Sequence, residues 1–197
     1  SMGILRAING LEDIMKETGA LLSGHFLLTS GKHSDHYMQC ALLLKHPRHA
    51  AFVGEGLARL LAPLGPQMVA SPALGGVIIG HEVARALGVP FVFCERQEGR
   101  MVLRRFPHPG AVRFVVVEDV VTTGGSLREV GEHLATGGAE WVGSACVADR
   151  SGGKTGLPHD LTSLLVAAFP LYDPEECPLC AAGLPLVKPG SRKGPGE

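Results

Sequence analysis

No run of the chain stays apolar for the roughly 18–20 residues that a membrane-spanning helix requires. The N-terminus has no basic segment leading into an apolar one, so neither a membrane span nor a secretory signal is expected. A strong charge of one sign is also missing. Eighteen Lys and Arg stand against 19 Asp and Glu, a net charge of −1, which gives no general field for nucleic acid or for an acidic membrane surface. Cysteine is sparse and odd in number. Cys40, Cys94, Cys146, Cys177 and Cys180 are scattered along the sequence, which argues against a disulfide framework and for a reducing cytoplasm. Internal repeats are lacking as well.

What is present is a chain of 197 residues, 45% hydrophobic and 19% charged, long enough for one domain with a proper core. Glycine is abundant, 27 in all, roughly twice the usual share. From 68 to 168 strand-like and helix-like segments alternate. Short apolar runs at 68–71, 91–94, 114–117, 141–147 and 161–168 read as strands. Between them, 77–87 and a segment starting near Ser126 repeat their apolar residues with a helical period. Alternation with short loops implies a parallel sheet covered by helices, and such sheets bind ligands beyond the carboxyl ends of their strands. Upstream, 11–16 reads as a short amphipathic helix capped by Asn9 and 47–61 as a longer one. The stretch 24–44 looks irregular or strand-like, and 99–110, with three arginines and no period, looks like a mobile loop. Cys94 and Cys146 lie in strand-like runs and are expected in the core.

The most informative run is Val115-Val116-Val117-Glu118-Asp119-Val120-Val121-Thr122-Thr123-Gly124-Gly125-Ser126. Apolar residues form a strand, two adjacent carboxylates stand at its end, and hydroxyls and glycines lead into a helix. Glycines let backbone N–H groups close around a phosphate, to which the helix N-terminus presents its positive end. Thr122, Thr123 and Ser126 can donate hydroxyl hydrogen bonds. Glu118 and Asp119 sit where they could accept from a pair of ribose hydroxyls. The plainer reading is an ordinary strand-to-helix turn with an N-cap serine; the full twelve-residue pattern favours the phosphate site.

This run resembles the phosphoribosyl-diphosphate signature of the type I phosphoribosyltransferase family. The resemblance covers most of the chain and is nearest to the orotate-using bacterial branch. Supporting stretches are Gly24-His25-Phe26-Leu27-Leu28-Thr29-Ser30-Gly31-Lys32-His33-Ser34, Ser71-Pro72-Ala73-Leu74-Gly75-Gly76, residues 95–105, Ala148-Asp149-Arg150, and the segment from Cys177 to Ser191. The resemblance implies an α/β fold with a central parallel sheet flanked by helices. It further implies a core of about 45–170 and a small hood from about 2–44 and 171–191; the Gly, Pro and basic residues of the tail predict fraying at 192–197. The implied reaction joins orotate to phosphoribosyl diphosphate in a homodimer, with Mg²⁺ as cofactor and no direct protein ligand to the metal. Glu118 and Asp119 are implied as partners of the ribose hydroxyls. Val120, Val121, Thr122, Thr123, Gly124, Gly125 and Ser126 are implied around the 5′-phosphate. Thr122 and Arg150 fall to orotate. Arg96 and Arg100 belong to a loop that brings cations to the pyrophosphate, often of the neighbouring subunit. This chain departs from the better-known members, which carry lysine where Thr29, Gly75, Gln97 and Arg100 stand and histidine where Val102 stands. Arg100, Arg104 and Arg105 could supply the charge instead.

Other patterns carry less. Gly152-Gly153-Lys154-Thr155 lacks the glycine at 148 that a P-loop needs, and His81-Glu82 is followed by Arg85 rather than a second histidine. Cys177 and Cys180 have metal-ligand spacing without a second close pair following them, which favours structural thiols over a zinc shared between subunits. His25, His33 and His36 read first as surface or subunit-contact residues. Two alternatives differ in class: a purine-type phosphoribosyltransferase, and a non-catalytic regulator that binds phosphoribosyl diphosphate. The second would usually show a basic face, which the charge balance does not support.

Overall fold

The computed structural model describes residues 3–189, so the tail expected to fray at 192–197 lies outside the described residues. In chain order the elements are β1 (Gly3–Ala7), α1 (Leu11–Glu17), β2 (Leu21–Leu27), β3 (His33–Met38), α2 (Ala41–Leu44), α3 (Pro47–Leu61), β4 (Met68–Pro72), α4 (Val77–Leu87), β5 (Phe91–Gln97), β6 (Arg100–Val102), β7 (Arg113–Val121), α5 (Gly125–Thr136), β8 (Glu140–Asp149), β9 (Leu161–Ala168) and α6 (Pro178–Ala181). Seven strands form one sheet in the order β1-β9-β8-β7-β4-β5-β6. The five central strands run parallel; β1 and β6 close the edges antiparallel.

The apolar run of β7 follows from its place at the centre of this sheet, where both faces are covered. Val115 and Val117 pack with Leu57 and Leu61 of α3 and Ile79 and Val83 of α4, while Phe114 and Val116 pack with Leu127, Val130 and Leu134 of α5. α3 opens with proline in its first turn, a position that needs no N–H partner. α4 stops at Gly88, which takes the left-handed conformation (φ 70°).

Four expectations need correcting. α1 is preceded by Gly10 with no side-chain cap bond, so Asn9 is not its cap. β1, assigned to the hood, pairs with β9 and extends the main sheet. The segment 99–110 begins as a hairpin: β5 continues to Gln97, turns through Glu98 (φ 51°) and Gly99 (φ 79°), and returns as β6. Arg96 and Arg105 fix it through ion pairs to Glu129 and Glu95. The turn escaped notice because its first residue is a glutamate in a backbone region that side chains rarely adopt. Finally, His25 and His33 are buried, at 3% and 5% exposure. They lie on the separate hairpin β2–β3, against which the C-terminal segment packs through Leu27 N–H to Val187 O (2.8 Å) and His33 N–H to Tyr172 O (2.8 Å).

One close contact is a sharp test of the α5 packing. Trp141 lies across Gly131, where an added Cβ would fall 2.5 Å from three ring atoms. The indole cannot easily move, because its N–H donates to Gly143 O (3.1 Å) and Ser144 Oγ (3.0 Å). Gly131→Ala gains helix propensity, about 1 kcal/mol, yet overpacks a pinned ring. The net expected effect is destabilisation of about 1–3 kcal/mol, read as a lower Tm; an unchanged or raised Tm would show that the ring yields.

Candidate active site

Because β4, β5, β7 and β8 are parallel, their carboxyl ends lie on one side of the sheet, and the loops that leave them build the site. β7 is longer than the apolar run suggests. Its pairing with β8 persists through Val121 and Asp149, so Glu118 and Asp119 sit within the C-terminal part of the strand rather than after it. Their carboxyl groups are half-buried. Asp119 Oδ1 accepts from the Val120 N–H at 2.7 Å, and neither residue makes an ion pair among the described residues. Burial, reinforced by the Asp119 charge, pushes the Glu118 carboxyl up to about 8. Burial also raises Asp119, opposed by backbone N–H donation. The loop after β4 lies against this pair: a Cβ placed on Gly75 would stand 3.2 Å from Asp119 Oδ1.

The loop that follows β7 is Thr122-Thr123-Gly124. Gly124, in left-handed conformation (φ 82°), begins α5 with no side-chain cap. The helix therefore starts at Gly125, and Ser126 is within its first turn instead of serving as the N-cap. The N-cap residue Gly124 offers no capping side chain, so beyond one long bond to Thr123 the start of α5 is open to an anion. Thr123 Oγ1 accepts from Gly125 N–H (3.3 Å), and Arg128 ties the loop down by donating to Thr123 O (3.2 Å) and to Thr155 O.

Arg150 follows β8. The Asp149 carboxylate accepts from Ser151 N–H (2.8 Å) and Ser151 Oγ–H (2.6 Å), closing the turn, while Arg150 N–H donates to Val121 O (2.8 Å). Its guanidinium is half-buried over the Phe169 ring, 5.6 Å from the centroid, without an ion pair among the described residues. Burial lowers its proton affinity, so an anion is the partner that would relieve it. Both Asp119 and Arg150 act on the buried Cys40 thiol, the first raising and the second lowering its proton affinity, against a larger upward push from burial. Cys40 thus lies within electrostatic reach of both Asp119 and Arg150, a residue that no sequence motif marks.

The structure does not bring all the implied residues together. Arg96 is held by both Glu129 oxygens (2.8 and 2.9 Å) on α5 of its own chain. Arg100 stands exposed at the start of β6.

A parallel sheet with an uncapped helix start and an acidic pair at its carboxyl edge defines a class of sugar-phosphate-binding α/β proteins, and the comparisons place the chain in it. The family model described as the phosphoribosyl transferase domain matches residues 43–162. The chain is 50% identical over 182 residues to the orotate phosphoribosyltransferase of Desulforamulus reducens, covering 92% of this chain and 95% of that one. Two solved structures share the fold. The orotate phosphoribosyltransferase of Aeropyrum pernix has TM-score 0.65 and 25% identity over 78% of this chain and 92% of that one. The Mycobacterium tuberculosis enzyme of that name, in complex with 5-phospho-α-D-ribosyl 1-diphosphate, has TM-score 0.57 and 26% identity over 66% of this chain and 80% of that one. The chain belongs to the phosphoribosyltransferase family, and within it to the orotate phosphoribosyltransferases.

The raised Glu118 carboxyl has a consequence for stability. Between its ordinary value of 4.5 and about 8, the folded chain keeps a proton that the unfolded chain releases, so this group makes stability fall as pH rises through that window. Glu118→Gln removes the effect. Its Tm relative to the parent should be level below the window, climb across it, and stay constant above. A difference independent of pH would contradict the shifted carboxyl.

Proposed function

We propose that this chain transfers the phosphoribosyl group from phosphoribosyl diphosphate to orotate, giving orotidine 5′-monophosphate and pyrophosphate for pyrimidine synthesis. The observation that carries the reading is the half-buried Glu118–Asp119 pair, with no ion-pair partner among the described residues, beside the uncapped start of α5. The two carboxylates accept from the ribose 2′- and 3′-hydroxyls. Backbone N–H groups from Thr122 to Ser126, with the hydroxyls of Thr122, Thr123 and Ser126, take the 5′-phosphate, while Val120 and Val121 stay in strand β7 and the Val120 N–H stays with Asp119 Oδ1. In the reaction the C1–O bond breaks with its electron pair leaving on pyrophosphate, a ring nitrogen of orotate bonds to C1, and the nitrogen's proton passes to solvent. The ribose carries positive charge as this happens, and ionised Asp119 stabilises it from the hydroxyl side. Arg150 pairs with the orotate carboxylate, a fit for a planar guanidinium, and Thr122 lies beside the base.

Mg²⁺ is part of this reading. Glu118 and Asp119 are hard oxygen donors, and such an ion keeps most of its waters while riding on substrate phosphates. The pair would meet it through the ribose hydroxyls they hold, and the ion supplies charge neutralisation at the pyrophosphate. A homodimer is also part of it, with Arg100 reaching the pyrophosphate of the neighbouring subunit; Arg96, already engaged by Glu129, contributes less than the resemblance implies. Unpaired cysteines fit a reducing cytoplasm.

The direct test follows orotate absorbance with phosphoribosyl diphosphate and Mg²⁺, using hypoxanthine, adenine and uracil as controls. Asp119→Asn should lower turnover by at least an order of magnitude with the fold intact; unchanged turnover would remove its ribose role. Arg150→Ala should weaken orotate by about 10- to 150-fold, the worth of a charged hydrogen bond, and phosphoribosyl diphosphate far less. Equal weakening of both ligands would make Arg150 structural. The shared site has its own test in mixed dimers of Arg100→Ala and Asp119→Asn. Action across the interface restores about a quarter of all sites at equal, random mixing. No recovery despite proven exchange would confine the loop to its own subunit.

A further inference from the structure

Away from the sheet edge, four metal-ligating side chains converge from two distant parts of the sequence. His25 and His33 come from the hairpin β2–β3. Cys177 and Cys180 come from the C-terminal segment, Cys180 within α6. Their ligand atoms all lie within 4.8 Å of one another. His25 Nε2 and His33 Nδ1 are 3.1 Å apart, Cys177 Sγ is 3.5 Å from His25 Nε2, and Cys180 Sγ is 3.6 Å from His25 Nε2 and 3.3 Å from His33 Nδ1. For a tetrahedral zinc with Zn–N near 2.05 Å and Zn–S near 2.3 Å, the edges of the tetrahedron are about 3.3 Å for N···N and about 3.6 Å for N···S. The separations fit those edges within a few tenths of an ångström. Only Cys180 is exposed as a residue; the other three are buried.

The tautomer of His25 supports the same reading. Its Nδ1 lies 2.9 Å from Leu184 O, and a carbonyl can only accept, so Nδ1 carries the proton. With Nδ1 as the donor, Nε2 is the nitrogen that faces the cluster. A ligating imidazole whose other nitrogen donates to a backbone carbonyl is the usual outer support of a zinc site. Two thiols and two imidazoles also match the soft and borderline donors that zinc favours over the oxygen-seeking Mg²⁺.

We propose that His25, His33, Cys177 and Cys180 form a closed, structural zinc site within one chain. Four protein ligands fill the tetrahedron, so no position remains for substrate. Its work is mechanical. The segment after β9 has little core of its own: Leu184, Leu186 and Val187 are exposed, and α6 has no fully buried residue. Backbone bonds from His33 and Leu27 hold it to the hairpin at two points, and a metal between them fastens the segment where apolar burial is too small to do so. The sequence hides this site because each half shows two ligands and the halves stand 152 residues apart, from His25 to Cys177.

The test uses the full chain, reduced and stripped with a chelator. Zn²⁺ is titrated against a chromophoric competitor, and Co²⁺ is used as a spectroscopic probe. The proposal expects one Zn²⁺ per chain, Co²⁺ bands of a tetrahedral site with thiolate charge transfer, and a Tm that rises on adding Zn²⁺. Cys180→Ser and His33→Ala should each weaken Zn²⁺ at least tenfold. Failure of the reduced parent chain to take up Zn²⁺, or octahedral Co²⁺ bands without thiolate transfer, would overturn the site without any variant having to fold. Equal Zn²⁺ affinity in folded Cys180→Ser would overturn it too, by moving the metal elsewhere.

Discussion

Two carboxyl groups on consecutive residues, half-buried with no cation beside them among the described residues, are the constraint on which the active-site half of this structure turns. Left to itself such a pair is costly, since burial and mutual repulsion both oppose ionisation. The chain tolerates it because the central strand β7 is fixed on both sides, by β4 and β8, with valines locked into both helical layers. In the proposed function that cost is what gives the site its chemistry. Groups short of hydrogen-bond donors bind a diol strongly, and a negative pair beneath a ribose favours the state in which the sugar carries positive charge.

Around that pair, complementary deficits are arranged in space. The start of α5 has no side chain at its N-cap and only a 3.3 Å bond from Gly125 N–H to Thr123 Oγ1, so it has room for an anion. Arg150, half-buried on Phe169, is short of one as well. A ligand with a phosphate at one end, a diol in the middle and a carboxylated base at the other end would relieve all three. Recognition of this kind relies on positioning more than on covalent chemistry from the protein, in keeping with a site of rigid strand ends and short turns.

Much of this was legible in the sequence, and what was hidden has physical causes. The run from Val115 to Ser126 shows strand, acidic pair, turn and helix because each part is local: an unbroken apolar run, adjacent charges and glycines encode themselves within a dozen residues. The same locality makes α4 plain, from Val77 to Gly88. The hairpin at Glu98-Gly99 was hidden because a glutamate takes a positive φ there. The place of β1 in the main sheet is hidden because its pairing with β9, 158 to 165 residues away, leaves no local mark. Cys40 and the Cys177–His25 approach are likewise non-local, and only folding reveals that each stands beside charges or ligands contributed by other segments.

In the proposed function the Glu118–Asp119 pair exchanges its burial cost for the ribose hydroxyls. Calorimetric titration of phosphoribosyl diphosphate at pH 7, repeated in buffers of different ionisation enthalpy, counts the protons exchanged on binding. With Glu118 held near 8 in the free protein, hydroxyl donation favours its charged form and drives a proton off. Greater proton release is expected from the parent chain than from Glu118→Gln, with the difference fading above the Glu118 transition. Identical proton counts in the two proteins at pH 7 would contradict it.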